Sequence, residues 1–323
     1  MNEIDYVYEV YKERSFSAAA KKLFVSQPAL SASIKKLEES LGIVIFDRSI
    51  SPIALTEAGK VYIEAVEEIK SVERQMKDKL ADMSALRTGR IVVSGENFVS
   101  SFIMPPVMKR FSSKYGGIDV ELVESNSPDL RKLLLTDQID LLIAHDFDMK
   151  VYTARPLFEE TLLHAVPEDF AVIPDLAPFA LTREKILEGA HLENDCPAVS
   201  LASFADQPML LLKPGNDMAR RAALLCEDAG FEPKAVLRLD QLITSYNMAR
   251  SGMGAAFVTD VLISAAPGGG CLYYKLGGAH ANRVMSIGYK KNRYLSHACL
   301  AFLETAVETF SSDPVSVMRQ TPQ

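Results

Sequence analysis

The side chains best suited to chemistry lie close together near the start of the chain. Between residues 27 and 36 the sequence places an amide, two hydroxyls and two ammonium groups, on Gln27, Ser31, Ser33, Lys35 and Lys36. Amides and hydroxyls can hydrogen-bond to base edges in a DNA major groove, and lysines can bind the phosphates beside it. That chemistry requires a helix that presents these side chains to a groove.

The flanking residues predict such a helix and a second one before it. Ser26 is a predicted N-cap for a helix over about 27–41, and Pro28 is tolerated in its first turn. Ser17 is the predicted N-cap of the preceding helix, 18–24. The predicted apolar face of the longer helix consists of Leu30, Ile34, Leu37 and Leu41. Two short helices joined by a tight turn, the second with a polar face, are typical of a helix-turn-helix.

A two-stranded wing is predicted directly after these helices. Residues 43–46 and 53–55 read as strands around a turn that contains Ser51 and Pro52, and Arg48 adds a cation for phosphates. Residues 1–58 therefore form a predicted winged helix-turn-helix, and its predicted DNA-contacting set is completed by Ser17, Ser26, Pro28, Ser51 and Pro52. The alternative is a generic small helical domain with a solvated lysine face. Charge does not separate the two, because this region holds seven basic and eight acidic residues.

A long amphipathic helix is predicted over about 57–86, with Thr56 as its N-cap. Apolar residues advance along it by three or four positions, the spacing of a coiled-coil seam, at Tyr62, Val66, Ile69, Val72, Met76, Leu80 and Met83. A helix of about 30 residues spans roughly 45 Å, which is too long to bury the seam against a small head alone. We therefore expect residues 59–88 to form a linker that pairs two copies of the chain through residues 66–83. The alternative is a single helix that packs on its own domain.

Strands and helices alternate from residue 89 onward, which predicts a mainly parallel α/β fold. The pattern separates into two halves that would face each other across a cleft at the carboxyl ends of their strands. Residues 168–199 fit the alternation poorly and are predicted to be an insertion in the second half. The predicted fold class is thus α/β multidomain, with a mainly helical winged head, a linker helix and a two-lobed C-terminal domain.

Polar residues at the predicted strand-to-helix turns are candidate ligand contacts in that cleft. Hydroxyls and free backbone N–H groups at a helix start favour a carboxylate or another anion. The candidates are Ser100, Ser101, Asn126, Ser127 and His145 in one half, and Lys213, Asn216, Thr244 and Thr259 in the other. Each serine or threonine alone could simply cap a helix, so the hypothesis depends on the set facing a common space.

Composition and motifs exclude several other classes of protein. The chain has 323 residues, is 48% hydrophobic and 24% charged, and carries a formal net charge of −7, which argues against a uniformly basic surface. It has no membrane-length apolar run, and it begins with acidic residues where a signal peptide carries basic ones, so we expect a cytoplasmic protein without membrane contact. The four cysteines are expected to be reduced thiols, with a Cys196–Cys226 disulfide as the alternative.

Catalytic, cofactor and metal motifs are missing from the sequence. The five histidines are scattered, and neither a phosphate-binding glycine loop nor a nucleophile with an ordered base is recognisable. We therefore expect no catalysis, no cofactor and no metal. An α/β enzyme and a plain small-molecule-binding or transport protein are the rival interpretations, and neither accounts for the winged head.

The N-terminal region resembles the signature of LysR-type transcriptional regulators, and the likeness extends more weakly over nearly the whole chain. It is carried by Ser15-Phe16-Ser17-Ala18-Ala19-Ala20, Ser26-Gln27-Pro28-Ala29-Leu30-Ser31, Phe46-Asp47-Arg48 and Leu55-Thr56-Glu57-Ala58-Gly59. The chain departs from the family at Ala32-Ser33, where Arg-Gln is frequent, and in the wing at 49–52, where further arginines are frequent. Fewer cationic contacts predict a shallower salt dependence of DNA binding than in a more basic relative.

This resemblance implies a regulator that binds double-stranded DNA, at a roughly palindromic operator, as a homodimer or homotetramer. It also implies a periplasmic-binding-protein-like effector domain over residues 89–323, which binds a small molecule, often an organic acid, between two lobes. In that fold lobe I spans about 89–165 and 281–312, and lobe II spans about 166–280.

Overall fold

The computed structural model describes residues 3–83, 89–170 and 174–311. The chain divides into two compact units, residues 1–77 and 78–323, and the division falls within one long helix. In chain order the first unit contains α1 (Glu3–Glu13), α2 (Phe16–Lys22), α3 (Gln27–Leu41), β1 (Phe46–Asp47), β2 (Ala54–Leu55) and most of α4 (Glu57–Met83).

The first unit is a winged helix-turn-helix built on a small apolar core. Val7, Ala19, Leu30 and Ile34 are fully buried between the first three helices. The two short strands pair antiparallel, with Phe46 opposite Leu55, and form the predicted wing. Helix α3 begins after Ser26, whose hydroxyl accepts a hydrogen bond from the Ala29 N–H at 3.3 Å, as expected.

Two details of the predicted head are wrong. The N-cap of α2 is Ser15 and not Ser17: the Ser15 hydroxyl accepts from the Ala18 N–H at 3.3 Å, and Ser17 lies exposed inside the helix. Both serines precede the same alanine run, so local sequence alone does not choose between them. Leu41 is also not part of the buried face, since 47% of it is exposed at the last position of α3.

Helix α4 begins where the sequence predicts it. The Thr56 hydroxyl accepts from the Gly59 N–H at 2.9 Å and so caps the first turn. Gly59 lies against the Ile45 backbone: a Cβ there would come within 2.1 Å of the Ile45 carbonyl oxygen. The predicted helix end near residue 86 and the predicted linker boundary at residue 88 lie outside the described residues.

The second unit is an α/β domain. In chain order it contains β3 (Gly89–Gly95), α5 (Met104–Lys114), β4 (Ile118–Glu124), α6 (Ser127–Leu135), β5 (Leu141–Ala144), β6 (Tyr152–Pro167), α7 (Arg183–Leu187), β7 (Pro208–Leu212), α8 (Asp217–Asp228), β8 (Lys234–Leu239), α9 (Leu242–Arg250), β9 (Ala255–Thr259), α10 (Asp260–Ala265), β10 (Cys271–Lys275), β11 (Asn282–Lys290) and α11 (His297–Thr309). The strands form one nine-stranded sheet in the order β4-β3-β5-β11-β6-β9-β7-β8, and β10 also pairs with β6.

Strand β6 belongs to both halves of this sheet. Its first part, up to Thr161, pairs antiparallel with β11 beside the parallel strands β3, β4 and β5, and this half is lobe I. From Leu162 the same strand pairs with β9 and β10 beside β7 and β8, and this half is lobe II. From sequence, the apolar run at residues 164–167 predicts only the end of β6, and neither β10 nor α10 is predicted.

The predicted insertion is ordered where the structure describes it. Besides α7 it contains short 3-10 turns at Pro174–Phe179 and Ala190–Leu192, and a further turn, Leu201–Phe204, follows it. Leu181 bridges to Tyr273 on β10, and Val199 bridges to Leu276. Arg183 donates to the backbone carbonyls of Ile263, Ser264 and Ala266 at the end of α10. The insertion is therefore tied to lobe II.

Candidate DNA-contacting surface and ligand cleft

The predicted DNA-contacting residues of α3 do not share one face. Gln27, Lys35 and Lys36 are exposed, whereas Ser31 and Ser33 are half-buried. Two residues of helix correspond to about 200°, so Ser31 and Ser33 point in nearly opposite directions and cannot both face one groove floor. Gln27, Lys35 and Lys36, the exposed stripe of α3, offer one amide and two ammonium groups, but Gln27 and Lys36 lie at opposite edges of it, about 180° apart.

Arg48, which is predicted from sequence to bind a DNA phosphate, makes its contacts with other residues of the head. Its Nη1 donates to the Ser31 hydroxyl at 3.1 Å and its Nη2 to Glu38 Oε2 at 3.0 Å. The guanidinium also lies 4.8 Å from the centre of the Phe16 ring. The side chain keeps 38% exposure, so one edge of it can still meet a phosphate. Ser51 and Pro52 are exposed in the wing turn.

The carboxylate that holds Arg48 also holds the wing. Glu38 is only 7% exposed, and its Oε1 accepts from the backbone N–H groups of Ile45 at 2.7 Å and Phe46 at 3.3 Å. Sequence analysis counted Glu38 only as an acidic residue of the head. Its position beside Leu37, on the apolar side of α3, could have indicated a buried carboxylate with partners inside the head.

The seam of α4 is exposed over its central part. The exposed fraction is 44% for Ile69, 67% for Val72, 53% for Met76 and 54% for Leu80. These residues leave a stripe of apolar side chains uncovered by their own protomer. Val66, which was predicted to belong to the same seam, is 1% exposed and already buried, so its assignment to a dimer contact is corrected. The side chain of Met83 lies outside the described residues.

A narrow cleft of about 40 Å³ lies where the two lobes of the second unit meet. Three predicted contacts line it: Ser127 at the start of α6, His145 after β5, and Asn216 before α8. A wider groove of about 1090 Å³ adjoins the cleft along α8 and also includes Ser127 and Asn216 in its lining. The structure therefore brings residues from both lobes to a common space.

The other predicted contacts lie outside the lining of both spaces: Ser100, Ser101, Asn126, Lys213, Thr244 and Thr259. The expectation of free N–H groups at Ser100 is wrong, because its N–H donates to the Glu96 carbonyl at 2.9 Å within a helical turn that continues through a π-helical stretch, Val99–Ile103. Asn126 and Thr259 cap α6 and α10.

A network of charged side chains that was not predicted from sequence lies in and behind the lining of the cleft. Glu160 on β6 accepts from Arg283 Nε at 2.7 Å, and it lies 3.0 Å from His145 Nε2. Arg283 Nη1 also donates to Asp217 Oδ2 at 3.1 Å, and Arg221 Nε donates to the same oxygen at 3.0 Å. Since Glu160 and Arg283 belong to lobe I strands and Asp217 begins α8, this network joins the lobes.

A second ion pair crosses between the lobes nearer to solvent. Asp146, which follows β5, pairs with Arg220 on α8, and its other oxygen lies 3.5 Å from Arg221. Asp146 is 47% exposed and Arg220 52% exposed. The backbone of Asp146 is left-handed, with φ of +51°, a conformation that aspartate tolerates better than most residues.

These contacts set the charge states of the cleft. Burial, and next to it the positive charge of Arg283, lowers the pKa of His145 well below its usual range, so its imidazole is neutral at pH 7. Burial alone would raise the pKa of Asp217, but Arg283 and the neighbouring Asp146 hold it well below the usual range. Burial and the adjacent Asp217 raise the pKa of Asp146. The cleft thus contains fixed charges around a neutral histidine.

The charged residues that line the cleft but were not predicted are close in sequence to the predicted contacts. Glu96 directly follows β3, Asp217 follows Asn216, and Arg131 lies four residues after Ser127 on the same face of α6. The first helix of lobe I is predicted to begin at about Ser100, but it begins directly after Glu96. Glu96 was therefore not recognised as the residue at the strand-to-helix turn.

Residues 3–83, 89–170 and 174–311 show neither a metal centre nor a membrane-spanning helix. They contain no group of three or more His, Cys, Asp or Glu placed to hold a metal ion. In the same part of the chain, no helix is both long and apolar enough to cross a membrane. All four cysteines are free thiols, and three of them are buried.

A winged helix-turn-helix joined to a two-lobed cleft domain defines a ligand-responsive DNA-binding regulator. Residues 1–60 match the family model of the bacterial regulatory helix-turn-helix protein, lysR family, and residues 84–311 match that of the LysR substrate binding domain. The chain therefore belongs to the LysR family of transcriptional regulators. These are DNA-binding proteins with an effector-binding C-terminal domain, and they are not enzymes.

Known proteins of this family resemble the chain over nearly its full length. It is 28% identical over 312 residues to an uncharacterized HTH-type transcriptional regulator, YcgK, of Bacillus subtilis (strain 168), covering 95% of this chain and 93% of that one. The crystal structure of CbnR, a LysR family transcriptional regulator, superposes with a TM-score of 0.63 at 19% identity, covering 97% of this chain and 100% of that one. Full-length CbnR complexed with target DNA gives the same TM-score of 0.63 and identity of 19%, over 95% of this chain and 99% of that one.

Proposed function

We propose that this LysR-type regulator acts in the cytoplasm as a dimer assembled through α4, which places two winged heads on a roughly palindromic operator. The observation that carries the dimer is the uncovered apolar stripe of Ile69, Val72, Met76 and Leu80. Two copies of such a stripe bury each other in a coiled coil. Two-fold symmetry of the protein then requires two-fold symmetry of the DNA site.

In each head we assign the groove contacts to the exposed stripe of α3. Gln27 would hydrogen-bond to base edges, and Lys35 and Lys36 would bind phosphates. Lys35 is 3.7 Å from Glu39, but both are largely exposed, so this pair costs little to break. Ser31 and Arg48 would act mainly by holding α3 and the wing together.

In the second unit we assign effector contacts to Ser127, His145 and Asn216. They are the predicted residues that line the space between the lobes. Binding there would alter the spacing of the lobes and hence the behaviour of the regulator on DNA. Ser127→Ala is expected to weaken the effector response, whereas Thr244→Ala, on an exposed position of α9 outside the cleft lining, is its matched control.

The dimer is tested by replacing two stripe residues with acids. Ile69→Glu with Met76→Glu adds two negative charges at the centre of the stripe, where two copies would meet. We expect a halved mass in sedimentation and a loss of affinity for operator duplex, measured by fluorescence anisotropy on DNA recovered by genomic footprinting.

A matched control carries the same change of net charge. Lys77→Glu also shifts the charge by two, but Lys77 is exposed and its side chain points about 100° away from that of Met76. The control is expected to keep both mass and affinity. If the double variant also keeps them, α4 is not the dimer contact.

A further inference from the structure

Two opposite charges face the cleft without a counter-charge. Glu96 follows β3, Arg131 lies on α6, and both line the narrow space between the lobes. Within the described part of the chain, Glu96 makes no ion pair with a cation and Arg131 makes none with a carboxylate; their polar contacts are with neutral groups. Both side chains are half-buried, which makes a missing counter-charge more costly than on an open surface.

Neutral groups hold these two charges in place. The Ser127 hydroxyl donates to Glu96 Oε1, and Arg131 Nη2 donates to the His145 carbonyl oxygen at 2.7 Å. The Arg131 guanidinium also lies 5.6 Å from the centre of the Phe147 ring. These contacts orient a carboxylate and a guanidinium without neutralising either of them.

The other cleft charges are balanced within the protein. Arg221 and Arg283 both bind Asp217, and Arg283 also binds Glu160. Arg220 binds Asp146 as well as Asp217. Among the described charged residues that line the narrow cleft, only Glu96 and Arg131 make no ion pair; Glu227, Glu232 and Arg238 line only the wider groove.

We propose that the effector is a zwitterion with an α-amino-carboxylate head group, whose carboxylate binds Arg131 and whose ammonium binds Glu96. The inference rests on the proposed function, because it names the ligand class of the same cleft. An anion without a positive group would pair with Arg131 but would be repelled by Glu96. An amine without a negative group would pair with Glu96 but would be repelled by Arg131. Only a ligand that carries both charges neutralises the pair.

The sizes of the two spaces fit a head group with a side chain. The narrow cleft of about 40 Å³ is close to the ~30 Å³ that one water occupies in the liquid, so the lobes must separate slightly to admit a head group. Arg131 also lines the adjoining groove of about 1090 Å³. Apolar residues of that groove, including Leu211, Ala222 and Phe231, would contact the remainder of the ligand.

The test is calorimetric titration of the full-length protein with each proteinogenic L-α-amino acid. The matching 2-oxo acid carries only the negative charge, and the decarboxylated amine carries only the positive one. We expect at least one amino acid to bind about tenfold or more tightly than both of its partners, since each lost charge removes a charged hydrogen bond. The proposal is overturned if no amino acid binds, or if a 2-oxo acid binds as tightly as its amino acid.

Charge-neutralising variants assign the two ends of the ligand. Arg131→Gln is expected to weaken both the amino acid and the 2-oxo acid about tenfold or more, whereas Glu96→Gln should weaken the amino acid but not the 2-oxo acid. Arg110→Gln is the matched control, because Arg110 is exposed on α5 and pairs with Glu308. Equal effects of Glu96→Gln on both ligands would contradict the assignment.

Two further measurements separate misfolding and the wider function from the proposal. Arg131→Lys keeps the charge but loses the planar fork, so it should bind amino acid more weakly than wild type while it keeps the wild-type melting temperature. Unchanged amino-acid affinity in Arg131→Lys and Arg131→Gln would overturn the role of Arg131. Binding to operator duplex is measured on the same preparations. If the wild-type protein binds amino acid but does not bind operator duplex, the proposed DNA-linked regulation is rejected while the assignment of the ligand class stands.

Discussion

Glu38 is expected to be the residue on which the winged head depends most for its geometry. In Glu38→Ala the backbone N–H groups of Ile45 and Phe46 lose their acceptor while they stay buried. A buried donor without a partner costs about 1–3 kcal/mol, and the half-exposed pair with Arg48 adds at most about 1 kcal/mol. The Ile45 bond, at 2.7 Å, is the shorter and carries most of the loss, so we expect a total of about 2–4 kcal/mol.

Amide hydrogen exchange in the full-length protein measures this loss directly. A free energy of about 2–4 kcal/mol corresponds to roughly 30- to 700-fold faster exchange of the amides of Ile45 and Phe46. Glu38→Gln keeps an acceptor oxygen but loses the charge, so its exchange should rise by only about tenfold. Operator affinity should fall in the same order, because the wing and Arg48 lose their common support.

Glu39→Ala is the control for this series. Glu39 is adjacent on α3, its side chain is 66% exposed, and its carboxylate lies 3.7 Å from the Lys35 ammonium. Its replacement should change stability by no more than about 0.5 kcal/mol. If Glu38→Ala exchanges at the rate of Glu39→Ala, the wing is not held by this carboxylate.

Three further predictions address the other parts of the chain. Thr56→Val removes the cap of α4 and should lower stability by about 1 kcal/mol in urea unfolding, whereas Thr56→Ser should preserve it. The pKa of buried His164 is lowered by burial to about 3, and neither of its ring nitrogens has a partner among the described residues. Below pH 6.5 the imidazole of His164 therefore binds a proton in the unfolded chain but not in the folded chain, so the free energy of unfolding decreases as the pH falls. His164→Leu should remove about 2 kcal/mol of the decrease between pH 7 and pH 5. An unchanged dependence of stability on pH in this variant would contradict the prediction. Lys36→Gln should reduce the slope of log affinity for operator against log salt by about 1 per bound head, and an unchanged slope would exclude a phosphate contact.

The head could be predicted largely from sequence because its signals are local. Ser26, Pro28 and Thr56 lie at helix starts, and the helix periods are complete within a few turns. The error at Ser17 concerned two equivalent capping residues two positions apart. Arg48 and Glu38 were misjudged for a different reason: their partners come from separate elements, and a single sequence does not reveal which charges meet.

The cleft could be predicted only in outline for the same physical reason. Strand β6 is not predicted before residue 164 because Arg155, Glu159 and Glu160 interrupt its apolar pattern. Glu160 is fully buried there, which is tolerable only because Arg283, more than a hundred residues later in the chain, binds it. Turn positions were predicted near the cleft, but the charged residues that line it depend on pairings across the two lobes.

Those pairings also determine which contacts between the lobes a ligand can change. Removing the partner of a buried charge costs about 3–5 kcal/mol, so the pair of Arg283 in lobe I and Asp217 in lobe II, at 5% and 15% side-chain exposure, acts as a fixed support between the lobes. The pair of Asp146 and Arg220 is about half exposed, and such pairs are worth only about 0–1 kcal/mol. A ligand with a few kcal/mol of binding energy can therefore separate Asp146 from Arg220 but not Asp217 from Arg283. The lobes must therefore open at the outer edge of the cleft, where Arg131 lines both the cleft and the wide groove. The pivot of this opening lies at β6 and β11.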